Sequence, residues 1–214
     1  MSWENFVVLL TGLPYTLAVT GGALIVGVVL GIPLMMLRTS RFAVPRGVAI
    51  ILIALVRSVP PIVWVFLIFF AIGNSIFPIE PLPAALVGIG LIATANMAEI
   101  YRGGLAAVHC GQSEAAIALN MSNWHRFEDV LAPQVFRVCV PMVATYAIGL
   151  LKDAAVASTI GVPDLSYQGR YVTELTYQGL NVMGFVGLLY IAISIPVAWL
   201  SRVTHSHLKR NAAL

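Results

Sequence analysis

A chain of 214 residues in which 59% are hydrophobic and only 10% charged lies far from soluble domains, where about 25% of residues are charged. Its mean hydropathy is +0.92, and a compact water-soluble fold of this size could not hide so much apolar surface. Two cysteines exclude a disulfide-dense scaffold, the hydrophobicity excludes disorder, and a net charge of +3 from scattered basic residues argues against sequence-specific nucleic-acid binding, so an all-α integral membrane protein remains, expected as a single domain over 1–214.

Charge-free stretches place the spans. Residues 14–37 are long enough to cross about 30 Å of hydrocarbon, and Gly27 and Gly31 offer a small-residue packing face within them. A second span is expected over 47–72, interrupted by Arg57. A third, short one covers 82–98 and ends at Glu99. The fourth, 137–158, carries Lys152 and Asp153, and the fifth covers 183–201. The alternation that membrane strands need is absent, so all five are expected as helices.

Five spans sort the connecting segments onto two sides. One side collects Arg38, Arg41, Arg46, Arg102, Arg126, Arg137, Arg202, Lys209 and Arg210; the other collects only Arg170, with Glu4, Glu80, Asp164 and Glu174. The positive-inside rule puts the first group in the cytoplasm, the N-terminus outside and the C-terminus inside. The start MSWENF lacks the basic region of a cleavable signal, which fits an N-out start.

The cytoplasmic segment 102–136 is longer than a simple connection needs. Residues 113–119 read as a short Ala-rich helix, with Asn120 taking the left-handed stop position. Ser122 is a good N-cap for a second short helix over 123–131, which Pro133 is expected to end. Such a helix pair is suited to docking a soluble partner.

Chemistry-bearing motifs are scarce. Both lysines, Lys152 and Lys209, follow Leu, so there is no phosphate-binding Gly-Lys loop and no nucleotide site of that type. Neither a zinc-ligand spacing nor a G-x-S-x-G elbow occurs. No enzyme activity, cofactor or metal is therefore expected. Cys110 and Cys139 read as free thiols, and His205 and His207 as part of a solvated basic tail.

One run is specific. Residues 96–133 read NMAEIYRGGLAAVHCGQSEAAIALNMSNWHRFEDVLAP. The segments Ala98-Glu99-Ile100, Arg102-Gly103-Gly104, Gly111-Gln112, Glu114-Ala115-Ala116 and Pro133-Gln134 with Arg137 resemble the EAA-motif region of the membrane permease subunits of bacterial ATP-binding-cassette importers, in the polar amino-acid branch. Arg57-Ser58-Val59-Pro60 loosely matches that family's R-G-T-P, and Leu151-Lys152-Asp153 its L-K-D-T-S-L, with Ala154-Ala155 in place of Thr-Ser. Asn120 stands where the family has Gly, a replacement its left-handed tolerance permits.

The resemblance implies a type I ABC importer fold with a coupling helix between spans 3 and 4. Gly111, Glu114, Ala115, Ala116, Leu119 and Asn120 would couple it to an ATPase. It implies two ABC ATPase subunits, a second copy or a homologous permease subunit forming a dimer, and an extracytoplasmic substrate-binding protein, all at the bacterial inner membrane. Glu114, read in the helix's first turn, would complement the helix dipole and meet a basic residue of the partner.

Arg57, Ser58, Glu99, Lys152 and Asp153 are the candidate substrate residues. Each charge costs about 2.5–3.5 kcal/mol at mid-membrane on insertion scales. They either neutralise one another as structural pairs or meet the carboxylate and ammonium of an amino acid. Glu99 and Arg102, three apart, can pair on one helix face; Lys152 and Asp153 are neighbours whose side chains diverge by about 100°. An ion-coupled secondary transporter would use the same charges without an ATPase groove, and a membrane hydrolase would need a nucleophile and base that do not stand out.

Overall fold

A computed structural model describes residues 3–73 and 78–210, with side chains through 199. Among the described residues it is all-helical: α1 Trp3–Thr11, α2 Leu13–Arg38, α3 Ala43–Ser58, α4 Pro61–Ile72, α5 Pro81–Ala107, α6 Cys110–Ala118, α7 Asn123–Ile160, α8 Leu165–Thr176 and α9 Gly179–Arg210. Four helical stretches are long and apolar enough to cross a membrane, and a fifth is obtained if the bent pair α3–α4 counts as one span. The side chains of Arg202, His205, His207, Lys209 and Arg210 lie outside the described residues.

The most extensive helix contact joins α2 to α5. A methyl group added at Gly27 would stand 2.7 Å from Ala93 Cβ, and one at Gly31 2.6 Å from Met97 Cβ. Two glycines one turn apart thus let the backbones approach closely, which matters in lipid, where close packing rather than water expulsion holds helices together. Around this seam Val19, Ala23, Val65, Ile89, Ala93, Leu150 and Ala157 form one core cluster, drawn from α2, α4, α5 and α7. A second cluster, Leu9, Leu165, Val172, Val182 and Val186, ties α1, α8 and α9 together. Many large apolar side chains, among them Ile25, Val29, Ile51, Leu188 and Ile195, are exposed, as expected where lipid or a partner is the solvent.

Several expectations need correction. The second span is not one helix: α3 and α4 meet at 100°. Val59 and Pro60 are both extended, because a residue before proline avoids the helical region and Val59 and Pro60 each precede one. Pro61 then opens α4, where its missing N–H costs nothing. The Trp64 indole N–H donates to the Val56 carbonyl at 3.1 Å and fills one acceptor that the end of α3 leaves open.

The third span does not stop at Glu99. Its helix runs on two more turns to Ala107, so Glu99 and Arg102 are interior helix residues. Pro133 does not end the helix expected over 123–131. A wide π turn over Arg126–Leu131 precedes it, and Pro133 falls in the first turn of the segment that follows, where no N–H is needed, so α7 continues through it. The helix α8 was not expected. Its mean hydropathy is low, so it carries no span signal, but the Asp164 carboxylate caps it by accepting the Tyr167 N–H at 2.8 Å.

Candidate functional site: a polar wall and a short helix

Arg57, in the last turn of α3, and Asp153, at the end of the α-helical part of α7, both lie within electrostatic reach of one group, the Tyr146 hydroxyl of α7. The Asn96 side-chain amide of α5 stands 3.5 Å from that hydroxyl and donates to the Ile92 carbonyl at 2.9 Å. Three helices thus bring an arginine, an amide, a phenol and a carboxylate toward one region. The wall carries both signs of charge and several hydrogen-bonding groups, as recognition of a zwitterion requires. Asn96 and Tyr146 were missed in the sequence, where an Asn and a Tyr within apolar helices carry no motif of their own.

The other candidates behave differently. Ser58 is exposed, and its hydroxyl donates to the Leu55 carbonyl of its own helix at 3.0 Å. Lys152 is exposed and Asp153 half-buried, so the neighbours diverge as helix geometry requires. Neither forms an ion pair within 4.0 Å among the described residues.

Glu99 is fully engaged. Arg38 Nε donates to its Oε1 at 3.2 Å and Arg102 Nε to its Oε2 at 2.8 Å. The pairing with Arg102 is the structural alternative read from the three-residue spacing. Arg38 joins from α2, a partner that spacing along one helix could not reveal. Glu99 therefore belongs to a cluster that clips the end of α2 to α5.

The short helix expected over 113–119 begins earlier in the structure. His109 is its N-cap, with Nδ1 accepting the Gly111 N–H at 3.1 Å, and α6 runs from Cys110 to Ala118. Glu114 is consequently in the helix interior rather than its first turn, which removes the dipole reason given for it. Leu119 lies just past the end, and Asn120 is left-handed at φ 58°. The Met121 N–H returns to the Ala116 carbonyl at 3.0 Å and the Asn120 N–H to the Ile117 carbonyl at 2.9 Å, the double closure of a Schellman stop. The Ser122 hydroxyl then caps the next turn through the His125 N–H. Gln134 Nε2 donates to Gln112 Oε1 at 3.2 Å and fastens α6 to α7. Ala116 is buried against the protein, while Glu114, Ala115, Ile117 and Leu119 are exposed.

A cavity of about 660 Å³, lined by Leu24, Val28, Phe127, Val140 and Val143, is apolar and contains none of the charged candidates. Desolvating a zwitterion there would be uncompensated, so it is no route for one. Outside the spans, Asp164 is buried, and its Oδ2 has no hydrogen-bond partner. Burial pushes its carboxyl up to about 6, against the lowering pull of the Tyr167 and Ser166 N–H groups and of Arg170.

The family described as "Binding-protein-dependent transport system inner membrane component" matches residues 23–210. The chain belongs to this family. It is 30% identical over 213 residues to the glutamate/aspartate import permease protein GltK of Escherichia coli O157:H7, covering 96% of this chain and 93% of that protein. It is 29% identical over 209 residues to the glutamine transport system permease protein GlnP of Escherichia coli K12, covering 97% and 95%. Among solved structures, an amino acid ABC transporter crystallised with histidines superposes with a TM-score of 0.90 at 26% identity, covering 95% of each chain. The fold is that of a type I ABC importer permease, and the chain is a multi-pass inner-membrane protein.

Proposed function

We propose that this permease imports a polar amino acid, or a related zwitterion, by alternating access. A binding protein delivers the solute on the side of the α2 N-terminus, and ATP binding by two partner ATPases turns the path outward. The supporting observation is the wall formed by Arg57, Asn96, Tyr146 and Asp153, which carries both charges a zwitterion needs and does not satisfy them internally. Two such subunits, identical or homologous, would enclose the path that one copy leaves open.

In this reading α6 is the lever. Its Schellman stop gives it a fixed end, Gln112 and Ala116 hold it to the permease, and Glu114, Ala115, Ile117 and Leu119 face the ATPase. The basic segments, including Arg41, Arg46, Arg126 and Arg137, lie in the cytoplasm with α6, and the N-terminus lies outside. ATP hydrolysis then belongs to the partners, and this chain supplies the path and its gating.

The test is uptake by the reconstituted permease–ATPase complex in proteoliposomes. Uptake of L-glutamine, used as the probe, should require ATP, and Glu114→Lys should cut the transport-coupled ATPase rate and the recovery of ATPase with the permease. Uptake that survives ATP depletion with an ion gradient intact would instead establish a secondary transporter.

A further inference from the structure

A second polar concavity lies at the end of the molecule away from α6. The Leu165 N–H donates to Thr16 Oγ1 at 3.1 Å, which seats the start of α8 near the N-terminal end of α2. Arg38, at the far end of α2, is about 33 Å along a helix axis from that level at 1.5 Å per residue. Between the last turn of α7 and the outer face of α8 is a cup of about 340 Å³, lined by Ser158, Thr159, Tyr167, Arg170, Tyr171 and Glu174. None of these belongs to the wall of Arg57 and Asp153.

The arrangement of charge in the cup is specific. Arg170 Nη2 donates to the Ser158 carbonyl at 2.7 Å, which fixes the guanidinium in place and leaves its other N–H groups available. Glu174 lies four residues on, along the same helix face. The two do not form an ion pair with each other or with any other described residue. Their order explains this in part, since a basic residue preceding an acidic one by four is the weaker orientation for helix pairing. Tyr167 and Tyr171, also four apart, are partly exposed beside them, adding two hydroxyls and two ring faces that favour a cation. A lone anion would use only the arginine. A ligand that carries a carboxylate and an ammonium on one carbon uses both charges at once.

We propose that this cup is a recognition site for the main-chain ammonium and carboxylate of a free amino acid, with Arg170 taking the carboxylate and Glu174 the ammonium. It would hold the solute at the outer mouth before the solute reaches the wall of Arg57 and Asp153. Its place as an entry site rests on the transport reading above, but its ligand chemistry does not. Because recognition is of the main chain, the site should tolerate many side chains and bind weakly.

The experiment uses the assembled permease–ATPase complex in lipid nanodiscs, labelled with 3-fluorotyrosine, with the Tyr171 fluorine signal assigned by its loss in Tyr171→Phe. L-glutamine, its carboxamide (no carboxylate) and N-acetyl-L-glutamine (no ammonium) are titrated separately. Saturable movement of the Tyr171 signal is expected with L-glutamine, weakened about tenfold or more in Arg170→Gln, the loss of one charged hydrogen-bonded contact. Arg170→Lys should restore part of it. The carboxamide should bind wild type and Arg170→Gln alike, and the N-acetyl compound should bind wild type and Glu174→Gln alike. If a variant fails to assemble, the three ligands on the wild-type complex still decide, since equal response to all three overturns the proposal. So does an unmoved Tyr171 signal, or an Arg170→Gln effect confined to affinity for the binding protein. No cup response in the wild-type complex with ATP-driven uptake intact refutes this site alone; uptake by the wild type without ATP refutes the transport reading alone.

Discussion

Two charged regions of this permease follow opposite rules. At the end of α2, Glu99 has both carboxylate oxygens occupied, one by Arg38 and one by Arg102. Along the wall, Arg57 and Asp153 form no ion pair within 4.0 Å among the described residues. A charge costs several kcal/mol to bring toward lipid, and only the first region offsets that cost internally. The difference separates charges that hold helices together from charges that no neighbour neutralises, which the proposed function assigns to the solute, although all of them lie in or beside membrane spans.

Removing the carboxylate should give the largest effect on folding. Glu99→Leu leaves two arginines facing each other with nothing between them. The three side chains are 18%, 25% and 40% exposed, so water screens part of the interaction. The loss should be about 2 kcal/mol, below that for a fully buried pair. Thermal unfolding of the detergent-purified permease should show a clearly lowered midpoint. An unchanged midpoint with uptake abolished would move Glu99 to the ligand side and erase the contrast between the regions.

The reverse pattern is expected at the wall. Arg57→Gln should leave the unfolding midpoint near wild type and lower uptake in proteoliposomes about tenfold or more, the value of one charged hydrogen-bonded contact. Asp153→Asn should behave similarly, whereas Ser58→Ala should change little, because that hydroxyl is already turned back onto Leu55. A fall in stability at Arg57 as large as that at Glu99 would show that Arg57 also serves structure.

Where a local chemical rule decides the outcome, the sequence was legible. The Asn120 stop, the Ser122 cap and the Gly27–Gly31 face depend on a few adjacent residues and are present as read. Features that depend on distant partners were not legible. Arg38 reaches Glu99 across 61 positions, and Asn96 meets Tyr146 across 50, with no periodicity to announce either. The bend at Val59-Pro60 was legible in principle, since two consecutive prolines force two extended residues, but hydropathy averaged over 47–72 hides it. α8 was hidden because its stability comes from the Asp164 cap and from packing on α1 and α9.

Asp164 sharpens the contrast between the regions from the other side, as a buried carboxylate with one oxygen satisfied and one not. Its pKa is raised from 3.8 to about 6 in the folded protein. The folded state therefore binds the proton more tightly than the unfolded state. Stability from this group is fully present below 3.8 and is lost as pH rises through about 6. The unfolding midpoint should decline across that window and then level, and Asp164→Asn should flatten the decline while keeping an oxygen for the Tyr167 N–H. A wild-type midpoint that rises with pH across the window, with the same rise absent in Asp164→Asn, would mean that the carboxylate is held charged by a partner.

The smallest effect is expected at the end of α6, where backbone geometry rather than charge fixes the helix end. Asn120 is left-handed at φ 58°, a conformation that Gly enters freely, Asn tolerates and Ala resists. Asn120→Gly should leave stability and coupling unchanged within a few tenths of a kcal/mol, whereas Asn120→Ala should cost about 1 kcal/mol. That cost falls on the helix end alone, because Asn120 is exposed and packs against nothing that Ala would disturb. It should therefore appear as a lower ratio of uptake to ATP hydrolysis before it appears as a lower unfolding midpoint. If Ala and Gly gave the same ratio, the Schellman closure at Ala116 and Ile117 would not be what keeps α6 stiff, and rigidity would have to come from the Gln112–Gln134 tie to α7.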